Sequence, residues 1–247
     1  MSELKNNFFL SQTWGLFAGY LPVVHTHRHY ALQISVSNTP IIVNTLKNIS
    51  FFGQRIIIKS NIPHSFQCTG LHLTLLLNPA SPIGHTFTIE NNTNEISISY
   101  SNFTNDLLSW LIDFEGGSMK FSEIISNVAA LVHEYKCKCE KESHIGDDRI
   151  MQALIYLEDH FDENIPLNKA ARLHFLSPSR FIHLFRQKTG ISYRRYQLWN
   201  KLVKSLPLLQ SKSVTEVAYT TGFSDHAHYI RTFKETFGVS PGILLKK

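Results

Sequence analysis

Two sets of side chains in this 247-residue sequence have types and spacings that could do chemistry. The first is imidazole. His25-Thr26-His27-Arg28-His29 stands just before one apolar run, and Asn61-Ile62-Pro63-His64 follows another. Neutral imidazoles ligate metals, and buried ones hydrogen-bond organic ligands. The second set is basic and written twice, as LNKAARLHFLSPSRFIHLFRQKTGIS (167–192) and VTEVAYTTGFSDHAHYIRTFKETFGVS (214–240). Aligned on Ala171 and Ala218 the copies are offset by 47, and aligned on Phe185 and Phe233 by 48. One residue has been inserted in the second turn.

Each copy reads as a short helix, a tight turn and a longer helix begun by a Ser or Asp cap, which is helix-turn-helix order. In the second helix of copy one, Phe181, Leu184 and Phe185 share a face, leaving Arg180, His183 and Arg186 elsewhere. In copy two, Tyr229 and Phe233 are the inward pair, and His226, Ile230, Arg231 and Lys234 are not. A helix that packs through one stripe and shows basic, hydrogen-bonding side chains on the other can enter a DNA major groove. Charge supports this. Residues 1–145 carry nine Lys and Arg against ten Asp and Glu, whereas residues 146–247 carry fifteen against nine, so the basic excess lies wholly with the duplicated motif.

The run GFSDHAHYIRTFKETFGVSP (222–241), preceded by SPSRFIHLFRQKTG (177–190), resembles the DNA-binding domain of the AraC/XylS family of bacterial transcription regulators, over about Asp148 to Leu245. The resemblance implies base-reading roles for Ser179, Arg180, Ile182 and His183 in copy one and for His226, Ala227, Ile230 and Arg231 in copy two. Arg186 and Lys234 are better placed for phosphates. Phe175 stands where the family has glycine suited to φ > 0, Lys201 and Ser205 replace the connector's arginine and alanine, and Pro207 falls inside the connecting helix. A cap at Asp148 and a helix reaching Phe161 are expected ahead of copy one, and a helical connector over 192–210 between the copies.

From Phe8 to Tyr100 the sequence breaks into short apolar runs: FFL, WGLFAGYL, YALQISV, IIVN, RIIIK, LHLTLLL, FTI and EISISY. Period-two alternation in several of them predicts half-buried strands of an antiparallel barrel or sandwich. In position, the two histidine segments resemble those of the cupin barrel, the sensor fold often found ahead of AraC-type DNA-binding domains. That resemblance brings His25, His27 and His64 together as an effector pocket, but the glutamate of metal-binding cupins is missing after the H-x-H. The expectation is therefore histidines lining a pocket or a rim, with no metal and no cofactor.

Over 102–142 the apolar period changes to three and four, giving two amphipathic helices broken at Gly116-Gly117. They either pair two subunits, as in the family, or cover the barrel. Lys136 to Asp148 is polar and reads as an interdomain linker.

The fold class expected is α+β: a cupin-like antiparallel β-barrel with trailing helices as a sensor and dimerisation domain over 1–140, and an all-α domain with two helix-turn-helix motifs over 146–247. Cys68, Cys137 and Cys139 form an odd set without C-x-x-C spacing, which predicts free thiols in a reducing cytoplasm. No apolar run is long enough to span a membrane, and no signal peptide is read at the N-terminus. The catalytic motifs of hydrolases, nucleotide-binding enzymes and zinc proteases are absent. The implied activity is sequence-specific DNA binding under control of a small-molecule effector. The implied partners are promoter DNA, RNA polymerase and a second copy of the chain. The alternatives are a cupin-type metalloenzyme using His25, His27 and His64, or a DNA-binding protein without a ligand.

Overall fold

Alternation of leucine and isoleucine builds the first half of the chain. The computed structural model describes residues 6–21, 23–90, 94–139 and 144–244. It divides them into two compact units, Met1–Cys137 and Lys138–Lys247. In the first unit, strands β1 (Asn7–Leu10), β2 (Trp14–Gly19), β3 (Val23–His27), β4 (Leu32–Thr45), β5 (Ser50–Ile58), β6 (His64–Cys68), β7 (His72–Leu77) and β8 (Ile96–Ile98) form one antiparallel sheet. Register places Leu16, Leu75, Ile34 and Ile57 in a row across four strands, and all four are buried. Apolar side chains stacked this way across a sheet stabilise it by excluding water from both neighbours of each pair.

Strand β4 organises the sheet because it changes partner along one edge. Leu32–Ser37 pairs with β7, whereas Ile41–Thr45 pairs with β6. Between them its pairing with β5 is interrupted between Val36 and Ile41, at the segment containing Pro40, which has no amide hydrogen to give a ladder. There the sheet branches, and β3 pairs with β6 off its main path.

The row's outer face is covered by α2 (Asn102–Glu115) and α3 (Phe121–Glu134), through Leu107, Leu108, Leu111 and Phe114 of the first and Ile124, Val128 and Leu131 of the second. Their apolar stripes are spent on the sheet. Ser101 caps α2 by accepting from the Thr104 amide.

Three expectations change. FTI (87–89) lies in helix α1 (Pro82–Glu90), because Ser81 Oγ accepts from the Gly84 amide and Pro82 opens the first turn, so three apolar residues never become a strand. YALQISV and IIVN belong to the single strand β4, and β3 and β6 are strands that the apolar runs did not mark. The cap ahead of α4 (Asp148–Asp159) is Asp147, whose side chain accepts from the Arg149 and Ile150 amides.

The second unit continues with α5 (Leu167–Leu173), α6 (Pro178–Thr189), α7 (Tyr193–Leu208), α8 (Val214–Thr220), α9 (His226–Phe237) and a 3-10 turn at Pro241–Leu244. Paired helices of the two copies have equal lengths, seven and seven residues then twelve and twelve, so the inserted residue is Ser224, between Phe223 and the Asp225 cap. Phe181, Phe185, Tyr193 and Tyr196 interlock edge to face in the first copy, and Phe223, Tyr229 and Phe233 in the second. Helix α7 is tied to the α4 side by Tyr196, which donates to Glu158 Oε1 at 2.9 Å, and by Tyr193, which donates to the Ile165 carbonyl at 2.8 Å. Pro207 falls in the last turn of α7, where its missing amide costs one bond near an end and the helix runs on to Leu208. Among the described residues no helix is long and apolar enough to cross a membrane.

Candidate nucleic-acid interface and sensor histidines

Helix α6 begins where Ser177 Oγ accepts from the Arg180 amide, and α9 where Asp225 Oδ1 accepts from the His228 amide at 2.7 Å. That hydrogen bond is also the main reason the Asp225 carboxyl is held below its ordinary range. Both helices end at a left-handed glycine, Gly190 and Gly238, each with φ of 71°. Between these fixed ends Phe181, Leu184 and Phe185 of α6, and Tyr229, Thr232 and Phe233 of α9, are buried.

The equal lengths set a residue-by-residue equivalence that the motif alone did not give. Ser179, Ile182, His183 and Arg186 fall on one stripe at i, i+3, i+4 and i+7. Their counterparts are Ala227, Ile230, Arg231 and Lys234. Seven of these eight are exposed and Ile230 is half-buried. Arg231 therefore corresponds to His183, not to Arg180, whose counterpart is His228 against the Phe223 ring. Arg180 and His226 are exposed beside the stripe. None of these basic side chains belongs to an ion pair among the described residues, so their charge is uncommitted.

The turns before the two helices differ in what supports them. Phe175 has φ of 55° and its side chain is 94% exposed, while the equivalent Gly222 has φ of 73°. A Cβ at Gly222 would overlap the Asp162 carbonyl oxygen. Lys201 of α7, only 3% exposed, donates from Nζ to the Gly222 carbonyl at 2.6 Å, and burial lowers its pKa. One turn of helix further on, Ser205 Oγ lies 3.0 Å from Tyr229 Oη. The two connector departures thus tie the second copy's turn and α9 to α7.

The histidines of the first unit are only partly the expected set. His27 and His64 come together, with ring centroids 4.3 Å apart and their residues in register across β3 and β6. The third imidazole is His29, 5.4 Å from both rings; His25 is exposed. The register shift between Val24 and His27 breaks the strand alternation, which turns His25 outward, and the loop after β3 returns His29. Burial pushes the His27 pKa down to about 3 and lowers those of His29 and His64 as well, so the rings are neutral. Gln33, Ser35 and Thr74 continue from His29 as a hydrogen-bonded chain on the sheet, and His72 is buried against the Phe17 and Phe66 rings. The signal for Gln33 and Ser35 lies in the period-two spacing of polar residues in β4.

Comparison with known proteins places these features. Residues 170–247 match the helix-turn-helix domain family. The chain is 35% identical over 98 residues to the HTH-type transcriptional activator RhaS of Enterobacter sp., covering 39% of this chain and 35% of that protein. It is 30% identical over 142 residues to the arabinose operon regulatory protein of Escherichia coli, covering 55% of this chain and 49% of the relative. The chain thus spans about a third and about half of the length of these curated relatives. A crystal structure of an apo ToxT variant from Vibrio cholerae shares the fold, with a TM-score of 0.64 over 96% of this chain and 97% of that one at 11% identity. Over its duplicated helix-turn-helix unit the chain is thus similar in sequence to these transcription regulators.

Proposed function

We propose that this protein is a sequence-specific DNA-binding transcription regulator whose N-terminal barrel, the sensor and dimerisation domain of residues 1–140, holds a small-molecule effector. The observation that carries the reading is the pair of matched stripes, Ser179/Ile182/His183/Arg186 and Ala227/Ile230/Arg231/Lys234, on two capped helices of equal length. Arg231 reads guanine O6 and N7 with its planar fork, His183 reads the equivalent position of the neighbouring major-groove segment, and Arg186 and Lys234 bind phosphates. Arg180 and His226 flank the two stripes and add contacts at their edges. A regulator, not an enzyme, is what both the site and the relatives support.

The buried Gln33, Ser35 and Ser37 support the effector half of the proposal. A core built only for stability would place apolar side chains on that strand face, since polar groups gain nothing from burial there. The protein acts in the cytoplasm as a homodimer and recruits or blocks RNA polymerase.

Fluorescence anisotropy with promoter fragments, titrated against salt, tests this. His183→Ala and Arg231→Ala should each weaken specific binding by about 1–3 kcal/mol and leave non-specific binding nearly unchanged. Arg186→Ala and Lys234→Ala should instead weaken all sequences and each lower the salt slope by about 1. Binding that is indifferent to sequence, and unaltered by His183→Ala and Arg231→Ala, would overturn the reading.

A further inference from the structure

The three buried imidazoles are arranged as ligands, not as packing. His27 Nδ1 lies 2.8 Å from the His25 carbonyl, His29 Nδ1 2.9 Å from the Ala31 carbonyl, and His64 Nδ1 2.8 Å from the Ile62 carbonyl. A carbonyl only accepts, so in each neutral ring Nδ1 carries the hydrogen and Nε2 is the unprotonated nitrogen. All three histidines share this tautomer, and one ligating nitrogen from each lies within 4.8 Å of the others. His64 is fully buried, and among the described residues its Nε2 has no hydrogen-bond partner. Buried acceptors are paired as a rule, and lone pairs held this close together repel. A cation among them removes both penalties.

We infer that His27, His29 and His64 together bind one divalent cation of the borderline class, Zn2+ or Co2+, through their three Nε2 atoms. The donor set selects the class. Imidazole nitrogens suit zinc, cobalt, nickel and copper, whereas magnesium and calcium require a shell made mostly of oxygens, which three imidazoles do not supply. The carbonyl bonds at Nδ1 fix ring orientation in the way outer partners of metal-bound histidines do. Gln33 Oε1, 3.0 Å from His29 Nε2, is interchangeable with the amide nitrogen of the same side chain. The side chain holds His29 in the absence of metal as a donor, and offers an amide oxygen as fourth ligand when metal is bound. Three neutral ligands leave the ion's charge uncompensated, so water or a small anion completes the shell. This site stands independently of the DNA-binding reading, because its test involves no DNA.

The test uses the full chain, stripped with chelator and titrated with Co2+. One equivalent should bind and give visible d–d absorption without the near-ultraviolet charge transfer of a thiolate. His27→Gln, His29→Gln and His64→Gln should each weaken binding by more than the 10–100-fold that loss of an outer partner costs. His25→Gln, on the exposed side of the same strand, and the double variant Cys137→Ser/Cys139→Ser should bind as the wild type does. Because a buried variant can lose its fold, proton NMR of the cobalt-loaded wild type gives a second measurement. Three hyperfine-shifted, exchangeable Nδ1–H signals are expected, one for each ring. Absence of d–d absorption at millimolar cobalt, absorption that survives in the histidine variants, a thiolate band lost in the cysteine variant, or fewer than three shifted signals would each overturn the assignment.

Discussion

The two helix-turn-helix turns share one backbone conformation but should respond in opposite directions to substitution. At Gly222 a side chain meets two separate penalties. The left-handed φ of 73° costs an L-residue about 1–2 kcal/mol, and the added Cβ would overlap the backbone oxygen of Asp162. Since a backbone atom cannot swing aside as a side chain can, the turn itself must shift and pull Gly222 away from Lys201 Nζ. Together these set the loss for Gly222→Ala at about 3 kcal/mol. At Phe175 the strain is present already, and the 94% exposed ring contributes almost no burial to offset it. Phe175→Gly relieves about 1–2 kcal/mol of strain and returns about 0.5–1 kcal/mol through the more flexible unfolded chain, leaving a net gain below about 1.5 kcal/mol. Amide hydrogen exchange of α9, through Tyr229 and Phe233, reads the first variant; a loss of 3 kcal/mol is about a 150-fold fall in protection. Exchange of α6, through Phe181 and Phe185, reads the second. A loss below about 1 kcal/mol for Gly222→Ala would show that the turn relaxes freely, and a clear destabilisation by Phe175→Gly would show that the ring does more than strain its own backbone.

The connector yields two more tests. Lys201→Met removes the donor to the Gly222 carbonyl while keeping most of the buried stem, and should cost about 1–2 kcal/mol in urea unfolding. Ser205→Ala leaves the buried Tyr229 hydroxyl without its partner and should cost about 1–2 kcal/mol, whereas adding Tyr229→Phe should recover part of the loss in a double-mutant cycle. The buried histidines make the first unit acid-sensitive. Their folded pKa values lie below the ordinary 6.5, at about 3 for His27 and about 4 for His72, so below pH 6.5 the unfolded chain takes up protons that the folded one refuses. Stability should be flat above pH 6.5 and fall towards pH 4, by up to about 1.4 kcal/mol per pH unit for each such histidine. Urea midpoints at pH 7, 6 and 5 check the slope, and an unchanged midpoint would contradict the burial.

What could be read in advance divides along the range of the interactions. The helix-turn-helix half was legible because its signals are local: a cap, an apolar stripe and a terminal glycine fall within one helix each, so the order of α5 to α9 follows from neighbours in sequence. Strands β3 and β6 were not marked, because VVHTH and HSFQC are half polar and their pairing partner is about 40 residues away. The H-x-H pair failed for a related reason. Two residues apart on a regular strand share a face, but a register shift between Val24 and His27 exists only once β6 is in place, and it exchanges His25 for His29. Likewise Lys201 and Ser205 looked like departures from a pattern, and only the packed α7 shows them bonded to Gly222 and Tyr229.

The duplication did not produce two equally supported helices, and the difference lies behind α6 and α9, not on their exposed stripes. In copy two the turn is held from α7 by Lys201, crowded by the Asp162 carbonyl and followed by Tyr229 bonded to Ser205. In copy one the corresponding support is aromatic: His174 stacks near Phe181 and faces Tyr156 of α4, and no buried lysine reaches the Phe175 turn among the described residues. Hydrogen bonds to a carbonyl fix direction as well as distance, whereas ring contacts tolerate small sliding. The aim of α9 is therefore set more narrowly than that of α6. On the proposed DNA-binding reading a stripe carrying Arg231 gains from that, because a bidentate contact to a base tolerates little misplacement, while a single hydrogen bond from His183 at the equivalent position of α6 would tolerate more. On that reading the side chain that needs the stricter geometry stands on the helix whose backing supplies it.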